Sequence, residues 1–176
     1  MNILPILFSL TLFTSPSVQP TDPKSDWKTL LAEGHSIQHP AAWTEDVSGN
    51  IGSTFFLYSP LTDEEDTFSE NINLMVQPLQ GLGMTLEKFV QTTEDQVGVF
   101  MTESKIIHKD YSKKSKKECC VLEYAGLMNG FELHFLQYLW VIDEKAYILT
   151  FTAEGKNFEK YRLTATEILD SMKLKN

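Results

Sequence analysis

From residue 26 onward, short apolar runs alternate with turn residues, and the spacing twice switches to a helical period. Residues 27–31 and 35–39 read as the first strands, with Glu33-Gly34 between them. His39-Pro40 closes the second, because a residue before proline is driven toward extended geometry. Residues 54–58 form the next run, stopped at Ser59-Pro60, and residues 72–76 resume extended structure after an acidic stretch. Four more strands are predicted over residues 103–111, 118–127, 131–142 and 145–153. Asn129-Gly130 is the strongest hairpin signal, since a two-residue type I′ turn needs positive φ at both positions. Asp143-Glu144 serves the following turn.

The helical stretches carry their own punctuation. Thr85 is the N-cap of the first, Glu87 sits in the first turn, and Met84 and Phe89 are placed as a hydrophobic staple. Leu86, Phe89, Val90, Thr93, Val97, Phe100 and Met101 make a stripe that predicts packing on a sheet. In the last helix Phe158, Tyr161, Ala165, Ile168, Leu169 and Met172 share a face behind an N-cap at Asn157. Along 131–142, Phe135, Leu139 and Val141 alternate with Leu136, Tyr138, Trp140 and Ile142, so both faces of that strand need cover. The expected fold class is α+β, an α/β/α sandwich whose central antiparallel sheet is covered by helices on both faces.

Composition narrows the setting. The 176 residues are 42% hydrophobic, with eleven Phe, six Tyr and three Trp, enough for one ordinary core that needs no disulfide or metal staple. The net charge of −9 and pI near 4.9 exclude binding to a nucleic-acid backbone, which requires a concentrated positive surface.

Residues 3–13 are apolar apart from Ser9 and Thr11, and no charged side chain precedes Asp22. Eleven residues are too short to span a bilayer, which takes about 20. They match the apolar core of a secretory signal, with Ser15 and Ser17 at the −3 and −1 positions of a cleavage site. The expected division is a signal peptide over 1–17, a flexible leader over 18–26 and a single domain over 27–176. The mature protein is then exported, periplasmic or secreted, with no membrane span.

The search for chemistry is negative. Cys119 and Cys120 are adjacent, so their side chains point to opposite faces of a strand and cannot bridge without strain. One is expected in the core and the other at the surface. His35 and His39 on a strand stand about 13 Å apart, too far to share an ion, and they, His108 and His134 read as ordinary strand residues. Gly81-Leu82-Gly83 is a turn that lacks the third glycine and the lysine of a phosphate loop. Asp63-Glu64-Glu65-Asp66 lacks calcium-loop spacing and reads as a solvated loop. Lys113, Lys114, Lys116 and Lys117 form a charged hairpin tip. No nucleophile motif is present. Catalytic residues, metal ligands and cofactors are therefore not assigned, and no enzyme activity is expected.

Three strings in order resemble the PsbP-like group, which includes the DcrB-type bacterial envelope proteins. Gly34 to Trp43 resembles the opening pattern G-aromatic-S-I-x-x-P-x-x-W. Phe68, Glu70, Asn71, Ile72 and Asn73 resemble F-x-E-N-I-N-V, and Ala146 to Ala153 resembles A-Y-x-L-T-F-T-A before the closing helix. The resemblance implies the α/β/α sandwich over about residues 27–173. Members include lumenal subunits of the oxygen-evolving photosystem, a related nuclear import factor that binds a small GTPase, and secretion adaptor chaperones. None of these roles needs a catalytic triad, and fold alone does not fix activity.

The expected function is a non-enzymatic exported binding or assembly module of the cell envelope. A protein or envelope partner is expected to contact the region of Trp43, Phe68, Glu70 and Asn71. The alternatives are an adaptor chaperone sheltering hydrophobic segments, marked by an exposed groove, and a small-ligand protein or enzyme whose site forms only in the fold.

Overall fold

The structure, a computed structural model, describes residue 24 and residues 26–174. The expected signal segment and most of the leader lie outside the described residues. The chain folds as α+β, mostly sheet. Nine strands, β1 (Trp27–Ala32), β2 (His35–Pro40), β3 (Thr44–Asp46), β4 (Ser53–Tyr58), β5 (Asn71–Pro78), β6 (Thr102–Lys114), β7 (Lys117–Met128), β8 (Phe131–Ile142) and β9 (Lys145–Glu154), accompany the helices α1 (Leu86–Phe100) and α2 (Phe158–Asp170) among the described residues.

β1 and β2 pair as a separate hairpin, while the other seven strands form one antiparallel sheet in the order β3-β4-β5-β9-β8-β7-β6. The connection that carries α1 takes the chain from β5, inside the sheet, to β6 at its far edge. Three hairpins then walk back until β9 zips onto β5. Asn129 and Gly130 adopt φ of 53° and 86° between β7 and β8, the pair of left-handed residues that such a turn demands. Asp143 and Glu144 do the same at 48° and 55°. The lysine-rich tip turns through Ser115 and Lys116, and Lys114 pairs with Asp170 on α2.

Two apolar clusters divide the strands by parity. Leu136, Tyr138 and Trp140 of β8 join Leu149 and Phe151 of β9 with Phe158, Ala165, Ile168 and Leu169 of α2. Leu133, Phe135 and Leu139 join Cys120, Leu122 and Tyr124 of β7 with Leu86, Phe89, Val90 and Val97 of α1. The alternation read along 131–142 is thus realised. Both cysteines are buried, Cys119 in the first cluster and Cys120 in the second, so the expectation of one surface cysteine is corrected: each face at that point of β7 is covered.

The helix ends differ. Thr85 Oγ1 accepts from the Lys88 amide at 3.3 Å, the N-cap bond expected for α1. Asn157 stands at the N-cap of α2 without making such a bond; its side-chain Nδ2 donates to Glu70 Oε1 at 3.0 Å. Phe100 departs from the stripe; it lies in the last turn of α1 and is 69% exposed. The N-terminal hairpin is fastened by the far end of the chain: Ser36 and Lys173 exchange backbone bonds of 3.1 and 2.8 Å, and the Gln38 amide donates to Ser171 Oγ at 2.8 Å.

Candidate functional site

α1 packs against β6, β7 and β8. On the face it shares, β5 and β9 are left beside it, and a cavity of about 420 Å³ opens between helix and sheet. Its walls come from four strands in register. Asn73 pairs with Thr150 and Thr150 with Gln137 across β5, β9 and β8, and Phe135 of β8 pairs with Tyr124 of β7. Above and below this row stand Met75, Ile148, Phe135 and Tyr124, while α1 contributes Phe89, Thr93 and Val97. Leu79, Leu82 and Met84 come from the loop before α1, where Gly81 and Gly83 take φ of 73° and 55°. Leu82 is 62% exposed and, with Phe100, borders the opening. The volume lies in the range of small-molecule sites, roughly 300–1,000 Å³.

The chemistry of the lining is neutral. It contains no Asp, Glu, His, Lys, Arg or Cys, and its one ionisable group is the Tyr124 hydroxyl. Burial pushes that hydroxyl far above its usual range and outweighs the opposing effect of the neighbouring Gln137 amide, so it stays protonated. Gln137 Nε2 donates to Thr150 Oγ1 at 3.0 Å, and both side chains are more than nine-tenths buried. Gln137 Oε1 has no hydrogen-bond partner and is the sole such buried side-chain atom among the described residues. Asn73 Nδ2 donates to Ser53 Oγ at 3.2 Å. The polar part of the lining thus consists of amides and hydroxyls, set among apolar side chains.

The four residues expected to contact a partner lie elsewhere and divide between environments. Trp43 belongs to the first apolar cluster, 6% exposed, with its ring edge-on to Tyr161 at 6.3 Å. Glu70 is fully buried, accepting from Ser59 Oγ at 3.2 Å and from Asn157. Asn71 opens β5, and its amide donates to the Ser69 carbonyl at 3.3 Å. Phe68 is half-buried beside Phe131, ring centres 6.0 Å apart, and packs against the second cluster. Glu70 and Asn71 are chain neighbours, whereas Trp43 and Phe68 pack into different clusters.

Ionisable groups outside the cavity are paired with one another, in two places around a histidine. Glu123 accepts from His134 and Arg162, and the His134 ring stacks on Phe158 with 3.4 Å between centroids. His39 is buried, with Nε2 2.9 Å from Glu45 Oε1. Among the described residues no group of His, Cys, Asp and Glu could hold a metal ion, and no helix is long and apolar enough to cross a membrane.

The cavity was not legible as a site in the sequence, because Gln137, Thr150 and Asn73 are far apart along the chain. The available signal was local: Gln137 interrupts the apolar run Phe135-Leu136-Gln137-Tyr138-Leu139-Trp140 in a strand whose faces are both covered.

No protein-family model matches the chain, and neither does any curated protein sequence. Solved structures do. The solution structure of the PsbP protein CyanoP from Synechocystis sp. PCC 6803 aligns with a TM-score of 0.59 at 14% identity, over 93% of this chain and 98% of that one. LpqN, involved in cell envelope biogenesis of Mycobacterium tuberculosis, aligns at 0.65 and 11% identity, over 85% and 91%. PA94 of Pseudomonas aeruginosa, a protein of unknown function, aligns at 0.62 and 10%, over 85% and 98%. At these identities the likeness is one of fold, and it agrees with the three strings read from the sequence. The chain therefore has the PsbP-like fold.

Proposed function

We propose that this protein is an exported, non-enzymatic binding module of the cell envelope, and that its ligand site is the cavity between α1 and the sheet. The observation that carries the reading is the lining: a sizeable, mostly apolar space with a few buried polar groups and no catalytic side chain. Two of the similar folds support the setting, one a PsbP protein and one involved in envelope biogenesis. The signal-like residues 1–17 and the polar leader 18–26 belong to the same reading, as does a single domain over 27–176. We take α1 and α2 to cover opposite faces of the sheet, an arrangement supported by the division of β8 between the two clusters. The chaperone alternative is less well supported, because a helix-sized segment needs a long exposed groove and this cavity is partly roofed by α1.

Contact with a protein partner near Trp43, Phe68, Glu70 and Asn71 stands as an additional proposal. Phe68, half-exposed beside Phe131, is its accessible anchor.

The binding reading is tested with the neutral fluorophore N-phenyl-1-naphthylamine. Saturable enhancement is expected with the natural protein and loss of it with Ile148→Trp, which fills the cavity. No saturable enhancement overturns the reading. Export is tested by fractionation and intact mass, with a mature chain starting near Val18 expected outside the cytoplasm. An uncleaved cytoplasmic chain overturns it.

A further inference from the structure

We infer that the outer edge of β6 is a docking site for an acidic protein segment in extended conformation. The segment adds a strand to the sheet, with carboxylates facing Lys109 and Lys113 and an apolar residue facing Tyr111. No residue of β6 lines the cavity, so the inference stands apart from the ligand reading.

The starting point is the open end of the sheet. β6 is 13 residues long, none of them buried, and it stands last in the strand order, so its outer backbone edge meets no other strand among the described residues. Such an edge presents a row of N–H and C=O groups that can template a further strand. The register against β7 shifts between Thr102 and Lys105 and again between Ile106 and His108, then runs unbroken from His108 to Lys114. Those residues are the regular part of the edge. Within them Lys109 pairs with Leu122 and Tyr111 with Cys120, both in the cluster under α1, so Lys109, Tyr111 and Lys113 share that face. The two lysines stand about 13 Å apart along the strand, with the half-exposed Tyr111 ring between them. A partner strand with acidic, apolar and acidic residues at alternate positions matches this row.

Charge decides the kind of partner. Residues 102–117 carry six lysines against Glu103 and Asp110, a local charge of +4 in a chain whose total is −9. Lys109 binds Glu94 and Lys114 binds Asp170, whereas Lys105, Lys113, Lys116 and Lys117 make no ion pair among the described residues. Glu87 and Glu118 border the same cleft as Tyr111 and Lys113 without pairing with that lysine. A second copy of the chain is a poor occupant. In the antiparallel pairing centred on Tyr111, each copy's Lys109 would face the other's Lys113, and like charges directly opposite are destabilising. An acidic strand meets the same lysines with opposite sign. A lipid headgroup would answer the charge but leave the backbone edge without a ladder of donors and acceptors.

The test uses the whole protein and a rhodamine-labelled peptide, Ser-Glu-Thr-Val-Thr-Glu-Ser, whose pattern reads the same in both strand directions. Fluorescence anisotropy at low salt, where surface charges are least screened, is expected to show saturable binding. Lys109→Glu combined with Lys113→Glu is expected to weaken it about tenfold, the effect of two exposed ion pairs. Both side chains face solvent, so the fold is expected to persist. An analogue N-methylated at every interior residue keeps the carboxylates but cannot form the ladder, and it is expected not to bind. Bound peptide is also expected to slow amide hydrogen exchange over residues 108–114. Equal binding of the N-methylated analogue, or no protection on β6, overturns the inference and leaves only charge attraction. Absence of saturable peptide binding overturns it outright, and binding of phosphatidylglycerol vesicles in its place would assign the lysines to a lipid surface.

Discussion

Arg162 on α2 holds Glu123 on β7 through two parallel hydrogen bonds, Nη2 to Oε1 at 2.7 Å and Nη1 to Oε2 at 3.0 Å. The same guanidinium also binds Glu159 and lies over the Phe158 ring at 4.6 Å. It therefore joins the sheet to the helix with a charge, a fork of donors and a stacked plane at once. Arg162→Ala would leave a buried carboxylate without its cation. Because the arginine is 38% exposed, the expected loss is about 2 kcal/mol, below the ~3–5 kcal/mol of a fully buried pair. Urea unfolding measures it, and Arg162→Lys is expected to recover only part, since an ammonium cannot form the fork.

The same cluster gives the protein an acid-sensitive stability. Burial alone would raise the Glu123 carboxyl, but the hydrogen bonds and charges of Arg162 and His134 hold it below the usual carboxylate range. A carboxyl depressed in the folded state stabilises above its unfolded value of 4.5 and loses that contribution as pH falls through the folded value. His134 is depressed too, by desolvation that exceeds the opposing pull of Glu123. Its neutral form is favoured in the fold, so its contribution is full above 6.5 and falls as acid protonates the unfolded ring. Both effects have one sign. Melting temperature is expected to decline in two stages, starting below about pH 6.5 and again below about 4.5, and His134→Phe is expected to remove the upper stage.

The two thiols are expected to be inert in the folded protein. Burial pushes Cys119 up to about 12 and Cys120 up to about 11, so neither supplies appreciable thiolate near neutrality. A disulfide-exchange reagent at pH 8 is expected to titrate no thiol in buffer and two in guanidinium chloride.

Glu70 is fully enclosed and receives Ser59 and Asn157, which ties the loop before β5 to the start of α2. Glu70→Ala strands both donors, and the expected cost is about 1–3 kcal/mol. A double-mutant cycle with Asn157→Ala is expected to show coupling, because the two changes remove one shared bond.

The strands and helices were legible because their signals are local. The Asn129-Gly130 turn, the Thr85 cap and the alternation along β8 each depend on a few neighbouring residues. β3 escaped because Thr44–Asp46 is three residues without an apolar pattern, recruited by pairing with β4. Phe100 follows the helical stripe in sequence but comes at the end of α1, where the sheet gives way to the cavity opening. Cys119 and Cys120 were correctly sent to opposite faces, yet only the positions of both clusters reveal that each face is dry. The cavity depended on register. Thr150 and Gln137 meet across the β8–β9 hairpin, but Asn73 joins them only when β9, the last strand, closes against β5.

The backbone bridge between Ser36 and Lys173 also bears on the order in which the protein is made. The hairpin β1–β2 leaves the ribosome early and can close on its own turn, but Leu30, Ala32 and Ile37 belong to an apolar cluster that also takes in α2 and, after it, Met172 and Leu174. Loop closure over 137 residues is entropically costly and favours late assembly. The first apolar cluster is therefore complete only once Met172 and Leu174, near the end of the described chain, have joined it.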